Sequence, residues 1–330
     1  MATMKDIARV AGVSTATVSR ALMSPEVVKG PTRIKIQAAI DKLGYSPNFM
    51  ARNLRTQKSQ AIVVLVPDIS NPFFATVIRG IEQVAHSTGY SVLLGDTQND
   101  LKREASYANM VQTKQADGMI LLGDRVPSEI DPRNDLRSIH APLVMTCAYT
   151  PEESIYNVYI DNTAAANKIV SHLLSKGHKK VGCIVGYENT ITQQRYKGFC
   201  QALKAHGLEV NESWVVEGEF SSESGFTAVQ KILQQKNHPT AIFSINDEMA
   251  MGALQAIKAH GLKVPEDIAL VGFDDIRFSE YTDPPLTTVS QNGIEMGCNA
   301  MRMLIELMNG KQPKRAKQEL DYQLVIRQSG

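Results

Sequence analysis

From residue 61 onward, short apolar runs alternate with amphipathic stretches, most of which end at a glycine. The runs AIVVLV, GMILLG and TAIFSI are apolar along their whole length, which indicates strands buried on both faces of a parallel sheet. Stretches such as TVIRGIEQVAHSTG have the apolar spacing of helices and stop where glycine can end a helix. We therefore predict an α/β fold with helices covering both faces of parallel sheets.

These runs are too numerous for one small sheet. They begin at residues 61, 91, 118, 143, 158, 180, 214, 240 and 268, and the pattern restarts near residue 162. The restart predicts two doubly wound lobes rather than one large sheet.

The first 60 residues are strongly basic. They hold ten lysines and arginines against three acids, a net charge of +7, so the rest of the chain carries −6 of the total of +1. A small basic head on a mildly acidic body indicates that the head alone binds a polyanion.

The basic head has the pattern of a helix-turn-helix. MKDIARVA and TATVSRALM are helical and flank Gly12, and a third helix, TRIKIQAAIDKL, stops at Gly44. Ser14 is placed to cap the second helix. The helix then presents Thr15, Ala16, Ser19 and Arg20 outward. Such small side chains suit a DNA major groove, where hydroxyls and a guanidinium reach base edges, although an ordinary solvated face has the same pattern.

A short helical stretch, FMARNLR, lies between the head and the body. An isolated helix of about two turns is unstable in water, so residues 48 to 56 are predicted to need a partner in order to fold.

Polar residues follow several of the predicted strands, where open parallel sheets bind ligands. Phe73 and Phe74 follow the first strand and could stack on a planar ring or a sugar face. Helix-capping acids and core phenylalanines would give the same pattern. The polar positions are Asp68, Asp96, Asp124, Asp161, Asn162, Asn246, Asp247, Asp274 and Asp275.

The signatures of common enzyme classes are missing from the sequence. It contains no GxGxxG, GxxxxGK[ST], HExxH or GxSxG, and no histidine has a partner at metal-ligand spacing. We therefore expect no catalytic residue, no metal site and no cofactor. Four scattered cysteines, no signal-peptide-like start and no long apolar run predict a cytoplasmic protein that does not enter a membrane.

Five stretches together resemble the LacI family of ligand-gated bacterial transcription regulators: MKDIARVAGVSTATVSRAL, YSPNFMARNL, DISNPFFATVIRGIE, VGFDDI and DPPLTTVSQ. The resemblance covers essentially the whole chain. It implies a small all-α helix-turn-helix headpiece and a periplasmic-binding-protein-like core of two doubly wound parallel-sheet lobes. The implied divisions are the headpiece at 1–46, a hinge helix and linker at 47–60, an N-terminal lobe at 61–161 with 291–318, and a C-terminal lobe at 162–290 with 319–330.

The resemblance also implies the residues that bind DNA. The residues that would contact base edges are Thr15, Ala16 and Arg20. Leu54 of the hinge would enter the minor groove at the centre of the operator and kink it. Phosphate contacts fall to Thr3, Ser14, Thr17 and Arg33.

An effector site between the lobes is implied as well. Phe73 and Phe74 would flank the effector, and Arg195 and Asp274 would bind its hydroxyls, which suits the vicinal hydroxyls of a ribose or hexose. The remaining implied members are Asp161, Phe220 and Asn246.

Three stretches, STATVSRALMSPEVV, VPDISNPFF and DPPLTTVSQ, are most similar to nucleoside-responsive members of the family, so the implied effector is a nucleoside such as cytidine. Cys147 and the stretch GYENTITQQ depart from the pattern of purine-binding members and argue against a free purine base. The chain has no C-terminal heptad repeat, which favours a homodimer over a tetramer.

The expected function is a repressor that binds a palindromic operator as a homodimer and responds to the effector through the hinge. The resemblance also implies a second transcription factor as a partner. The alternatives are a sugar- or purine-responsive regulator of the same family, a sugar- or nucleoside-binding protein that does not bind DNA, and a processing enzyme on a similar scaffold.

Overall fold

The computed structural model describes residues 2–45, 58–128, 130–131 and 141–330. The chain divides into two compact units, Met1–Gln57 and Lys58–Gly330. The described residues of each unit build their own hydrophobic clusters. We call the first unit the headpiece and the second the core.

The headpiece contains three helices, α1 (Met4–Ala11), α2 (Thr15–Met23) and α3 (Gly30–Leu43), with a short 3-10 turn at Pro25–Val27. As predicted, Ser14 caps α2 by accepting the amide of Thr17, and Gly12 ends α1 with a positive φ of 69°. Ile7, Val18 and Ile36, one from each helix, are buried together at the centre. The helix-turn-helix prediction is confirmed.

The first sheet of the core has six parallel strands in the order β11-β5-β4-β3-β1-β2. Its strands are β1 (Ala61–Val66), β2 (Ser91–Asp96), β3 (Gly118–Leu121), β4 (Leu143–Cys147), β5 (Tyr156–Tyr159) and β11 (Lys317–Glu319). Helices α4 (Pro72–Ser87), α5 (Leu101–Gln112) and α10 (Gly293–Met308) pack on it. Because all its strands are parallel, their carboxyl ends lie along one edge.

The second sheet has four parallel strands in the order β7-β6-β8-β9. They are β6 (Val181–Val185), β7 (Val215–Glu217), β8 (Ala241–Ser244) and β9 (Ala269–Val271). The helices of this lobe are α6 (Asn162–Ser175), α7 (Thr190–Ala205), α8 (Ser222–Leu233) and α9 (Asp247–Ala259). An antiparallel pair, β10 (Thr288–Ser290) with β12 (Gln323–Val325), lies beside β9 through bridges at Val271 and Asp274.

The two lobes are interleaved along the chain. The chain leaves the first sheet after β5, builds the second sheet, and returns to the first lobe in α10, which packs against α4 and against β3, β4 and β5. A side chain on Gly80 of α4 would collide with the backbone of Ile294, so this glycine permits the close approach of the two helices. The chain then crosses back between β11 and β12. The prediction of two doubly wound lobes is confirmed.

None of the helices in the described ranges combines the length and apolar composition needed to cross a membrane.

Candidate nucleic-acid interface and ligand cleft

Helix α2 of the headpiece presents a face of small side chains. Thr15, Ala16 and Arg20 are exposed, whereas Val18 on the opposite side is fully buried. Nε of Arg20 donates to the carbonyl oxygen of Ala16 at 3.4 Å, which holds the base of the guanidinium close to the exposed face. A face of this kind can enter a DNA major groove.

The residues expected to contact phosphates lie at helix starts or at exposed positions. Thr3 caps α1, Ser14 caps α2, and the hydroxyl oxygens of Ser14 and Thr17 lie 2.8 Å apart. Arg33 is exposed on α3. Amides at helix N-termini favour bound anions, so phosphates are suitable partners here. Leu54, the expected minor-groove wedge, lies outside the described residues.

In the core, a cavity of about 360 Å³ opens between the lobes at the carboxyl ends of the strands. Asp68 and Phe74 of the first lobe and Tyr187, Asn189 and Phe220 of the second lobe are among the side chains that line it. The rings of Tyr187 and Phe220 meet edge to face, with 4.9 Å between their centroids. The cavity thus combines aromatic walls with polar groups, as small-molecule sites do.

A buried ion pair lies beside this cavity. Arg195 is 3% exposed, and its Nη1 donates to Oδ1 of Asp274 at 3.1 Å. Its Nε donates to Oδ1 of Asn162 at 2.9 Å, and Nε2 of Gln291 donates to Oδ1 of Asp274 at 2.6 Å. We call these four residues the buried network. The guanidinium carbon of Arg195 lies 3.6 Å from the ring centroid of Phe273, which adds a cation–π contact.

The network is connected to the cavity through Asn246. This residue caps α9, and its Nδ2 donates to the carbonyl oxygen of Phe220 at 3.0 Å. Nη1 of Arg195 also donates to the carbonyl oxygen of Ile245, directly before Asn246. The aromatic wall and the ion pair are therefore both hydrogen-bonded to the same short segment, residues 245 and 246.

Burial raises the pKa of Asp274 to about 6, and the opposing effect of the Arg195 charge does not cancel it. The backbone is also unusual, because Asp274 and Asp275 have positive φ values of 118° and 54°. Two residues that line the cavity, Asn99 and Phe220, share this property with φ of 57° and 61°. Strained backbone of this kind concentrates at functional sites.

Two hydrogen bonds cross between the lobes at the cavity. Nδ2 of Asn99 donates to the hydroxyl of Tyr187 at 2.9 Å, and the amide of Thr190 donates to Oδ2 of Asp124 at 2.7 Å. Burial raises the pKa of Tyr187, which keeps its hydroxyl protonated near neutral pH. These bonds join the lobes in the conformation seen here.

Two family models match the chain. The one described as Bacterial regulatory proteins, lacI family matches residues 3–48, and the one described as Periplasmic binding protein-like domain matches residues 170–330. The chain is 43% identical over 331 residues to the HTH-type transcriptional repressor CytR of Escherichia coli (strain K12), covering 99% of this chain and 96% of that protein. The chain belongs to the LacI family.

Other LacI-family comparisons agree. The HTH-type transcriptional repressor PurR of Pasteurella multocida (strain Pm70) is 36% identical over 332 residues, covering 100% of this chain and 98% of that one. The crystal structure of the Lac repressor dimer bound to operator and the anti-inducer ONPF superimposes with a TM-score of 0.87 at 26% identity, covering 99% of this chain and 98% of that chain. The structure described as transcriptional regulator CelR–cellobiose complex superimposes with a TM-score of 0.74 at 28% identity, covering 100% of this chain and 100% of that chain.

This LacI-family chain is therefore homologous to ligand-responsive transcriptional repressors and contains a DNA-binding and an effector-binding domain. The family and the fold inferred from the sequence are both confirmed.

The structure brings together five of the seven residues that the family resemblance assigned to the effector. Phe74 and Phe220 line the cavity, while Arg195, Asn246 and Asp274 belong to the hydrogen-bonded set beside it. The other two lie elsewhere. Phe73 is 5% exposed and packs in the hydrophobic core, with its ring centroid 5.7 Å from that of Phe74. Asp161 caps α6 and lines a separate cavity of about 1060 Å³.

Several residues of the site were not assigned from the sequence. Gln291 follows the buried strand β10, and Tyr187 and Asn189 follow β6. Tyr187 and Asn189 obey the rule that polar groups after a buried parallel strand reach the ligand edge, and that rule, applied to the run KVGCIVG, would have found them. Gln291 had no such signal, because β10 pairs antiparallel and is not predicted from the sequence. Among the described residues, no group of three or more histidine, cysteine, aspartate or glutamate side chains is placed to hold a metal ion.

Proposed function

We propose that this chain represses transcription as a homodimer on a palindromic operator, and that a nucleoside such as cytidine, bound between the lobes of the core, sets its affinity for DNA. The observation that carries the proposal is the inter-lobe cavity with the buried Arg195–Asp274 pair beside it, in a chain that also has a helix-turn-helix.

On the DNA side, we assign base reading to Thr15, Ala16 and Arg20, and the minor-groove wedge to Leu54. The exposure of the first three and the +7 charge of the first 60 residues support this assignment. We assign phosphate contacts to Thr3, Ser14, Thr17 and Arg33.

The lining of the cavity favours a neutral ligand that donates hydrogen bonds. Asp68, Asp124 and Glu219 contribute carboxylates, so a phosphorylated ligand would be repelled. The rings of Phe74 and Phe220 suit a planar base. A nucleoside combines a planar base, an amine on cytosine or adenine, and ribose hydroxyls for Asp274 and Arg195.

The identities to the relatives agree with the branch of the family that the sequence resembles. One relative at 43% identity is the repressor CytR, whereas PurR relatives are 34–36% identical. We place Arg195, Asn246 and Asp274 at the ribose hydroxyls and Phe74 and Phe220 at the base. Phe73 supports Phe74 from the core, and Asp161 caps α6 outside this site.

Exposed apolar side chains on both lobes support the homodimer. Leu93 and Leu94 lie on β2, the edge strand of the first sheet, and are 37% and 38% exposed. Phe278 and Tyr281 of the second lobe are 54% and 71% exposed. Large exposed apolar groups mark association surfaces, and a two-fold dimer would pair equivalent patches.

In the proposed mechanism, the ligand changes how the lobes close, and the altered spacing of the first lobes in the dimer changes hinge folding on DNA. Such coupling requires only a difference of a few kcal/mol between the two states. Within the chain, we assign the DNA-binding helix-turn-helix to residues 1–46, the hinge and linker to 47–60, and the lobes to 61–161 with 291–318 and 162–290 with 319–330. We further propose that the protein is cytoplasmic, catalyses no reaction, and shares its operators with a second transcription factor.

The test begins with selection of bound sequences from random DNA by the purified full chain. Fluorescence anisotropy then measures binding to the selected sequence at several salt concentrations, with and without cytidine. We expect a near-palindromic sequence, an affinity that falls steeply with salt, and weaker binding with cytidine. Absence of salt-dependent DNA binding would contradict the repressor, and an unchanged affinity with cytidine, adenosine, uridine and ribose would contradict the ligand class.

A further inference from the structure

Asp247 is a fully buried carboxylate with no role in capping its own helix. It is the first residue of α9, but the cap is made by the neighbouring Asn246, which accepts the amide of Met249 at 3.0 Å. A carboxylate buried in this way is costly unless several donors satisfy it. The donors that offset this cost lie outside α9.

Three donors satisfy this carboxylate, and they come from two segments outside α9: the loop that runs into the 3-10 turn Arg277–Glu280, and the strand β10. The amide of Ile276 donates to Oδ2 at 3.0 Å, and the hydroxyl of Ser279 donates to the same oxygen at 2.6 Å. The hydroxyl of Thr288 donates to Oδ1 at 2.6 Å. A side chain on Gly272 would collide with Oδ1 of Asp247, so the backbone of residues 272 to 276 lies directly on the carboxylate.

These segments are the ones that place Asp274. Ile276 follows Asp274 and Asp275, the pair with positive φ, and Thr288 begins the strand that leads to Gln291. Gln291 in turn donates to Asp274 at 2.6 Å. Asp247 thus fixes the loop that carries the ligand-binding carboxylate and also the strand that carries its amide partner.

We propose that Asp247 is a positioning residue for the ligand site: it contacts no ligand and holds residues 272–276 and β10 so that Asp274 faces both Arg195 and the ligand. This inference rests on the proposed function, because it assigns a ligand to Asp274.

The ionisation of Asp247 is coupled to that of Asp274. Burial, together with the charge of Asp274, raises the pKa of Asp247 to about 7. The charged groups with which Asp247 interacts across the buried space are Asp274 of the loop and Arg195 of α7, whereas the turn and β10 contribute the hydroxyls of Ser279 and Thr288. Because the pKa of Asp247 lies above that of Asp274, Asp247 is already largely protonated where Asp274 takes up its proton, and it acts on Asp274 there through position rather than charge. The charges that act on the pKa of Asp274 are those of Arg195, which lowers it, and Glu248, which raises it.

Two substitutions test whether the hydrogen bonds of Asp247 hold the site. Asp247→Ala removes all three hydrogen bonds and leaves the amide of Ile276 without its partner. Asp247→Asn keeps an acceptor for Ile276 and Ser279, and its amide can donate to Thr288 in place of the reverse bond. Asp283→Asn is the matched control, because this exposed carboxylate binds Lys258 of the same helix at 2.8 Å from outside.

Calorimetry with cytidine as the probe is carried out on the full chain from pH 5 to pH 8. We expect Asp247→Ala to weaken cytidine binding about tenfold or more. Asp247→Asn should keep most of the wild-type affinity, and Asp283→Asn should bind cytidine as tightly as the wild type. Wild-type affinity should fall as the pH falls through about 6, where Asp274 takes up a proton. In Asp247→Asn this fall should stay near pH 6, because Asp247 is already largely protonated there, and the restored affinity is the result that a merely structural role would not produce.

Hydrogen exchange of the free protein supplies a measurement that needs no ligand. The backbone amides of residues 274 to 280 should exchange faster in Asp247→Ala than in the wild type, and at wild-type rates in Asp283→Asn. If Asp247→Ala does not fold, Ser279→Ala removes one of the three bonds and should accelerate the same amides to a smaller extent.

The positioning role would be overturned if Asp247→Ala bound cytidine with the wild-type affinity and its amides exchanged at the wild-type rates. If Ser279→Ala has to be used instead, the same two results in that variant would overturn it. A wild-type protein that binds none of cytidine, adenosine, uridine and ribose would instead contradict the proposed ligand class, and the exchange data alone would then decide the role of Asp247.

Discussion

The headpiece and the ligand site of the core both depend on polar side chains, but the two regions satisfy these side chains differently. In the headpiece, the hydroxyls of Ser14 and Thr17 bond to each other and to the local backbone, and the neighbouring Thr15 stays exposed. In the core, Arg195 and Asp274 are buried and bound by residues distant in the chain.

The two sites differ in what their polar groups are bonded to before a ligand arrives: water and neighbouring residues in the headpiece, and protein groups distant in the chain in the core. The headpiece leaves donors in water, so it can exchange water for DNA phosphates and bases at little cost to its own fold. The core has already removed its ionic groups from water, so its site is preorganised and its stability depends on the same groups. Substitutions should therefore separate binding from stability in the headpiece and combine them in the core.

The largest effect is expected for Arg195→Met. It leaves Asp274 buried without its cation, and breaking a buried ion pair on one side costs about 3–5 kcal/mol. Urea unfolding followed by the fluorescence of Trp214, the single tryptophan of the chain, measures the core. Arg9→Met is the matched headpiece change, since Arg9 forms an exposed pair with Asp6, and it should leave unfolding unaltered. Equal losses in the two variants would refute the comparison.

Asp274→Asn should abolish the response to the effector and leave operator binding nearly intact. The loss of a charged hydrogen-bond acceptor costs about 1.5–3 kcal/mol of cytidine binding. Calorimetry measures the ligand, and anisotropy measures DNA binding with and without it. An unchanged cytidine titration would remove Asp274 from the site.

Within the headpiece, Arg20→Ala should change the sequence specificity of DNA binding, whereas Arg33→Ala should change only the overall affinity for DNA and its salt dependence. Loss of a guanidinium that reads a base costs about 1–3 kcal/mol and relaxes specificity at that base pair. Loss of a phosphate contact weakens binding to all sequences and reduces the salt slope by about 1. Anisotropy on the operator and on scrambled DNA, at several salt concentrations, separates the two. If Arg33→Ala changed the sequence preference instead, the assigned roles would be reversed.

The stability of the core should also depend on pH. Burial raises the pKa values of Asp274 and Asp247 to about 6 and about 7, above the ordinary 3.8. The folded core then holds more protons than the unfolded chain, so stability is lost as the pH rises from about 4 to about 7. Each group contributes at most about 1.4 kcal/mol per pH unit. Urea unfolding across this range should give a flatter profile for Asp247→Asn, and an identical profile would contradict the assignment.

The smallest effect is expected for Tyr187→Phe. It removes the hydrogen bond from Asn99 between the lobes, which corresponds to about 0.5–1.5 kcal/mol. Cytidine affinity should change by that amount, while DNA affinity without ligand stays the same. Tyr156→Phe, on β5 and away from the cavity lining, serves as the control. A change in both variants would show that the effect does not arise at the cleft.

The regular elements were predictable because their signals are local. All nine apolar runs contain or overlap a strand, and the cap at Ser14 depends only on its neighbours. Strands β10, β11 and β12 were not predicted, since each has three residues and little apolar periodicity to detect. Short strands of this kind form because the sheets beside them are already in place.

The site was only partly predictable. The strand-end rule indicates which edge of a sheet a residue occupies, but not which cavity along that edge. Asp161 therefore follows its strand as expected and yet lines a different cavity from Phe74. Phe73 and Phe74 are adjacent on α4, and only packing decides which ring reaches the ligand. Asp247 could not be assigned, because its partners at 276, 279 and 288 meet it only after folding.

The interleaving of the lobes has a consequence for biosynthesis. The first lobe lacks α10, the helix that packs on α4 at Gly80, until residues 293–308 have been synthesised. Its last strand, β11, ends at Glu319. The second lobe receives Ser329, whose hydroxyl donates to the carbonyl oxygen of Leu270, later still. Each lobe therefore waits for residues beyond 290, so the first lobe cannot finish folding as an independent unit before the second lobe has been made.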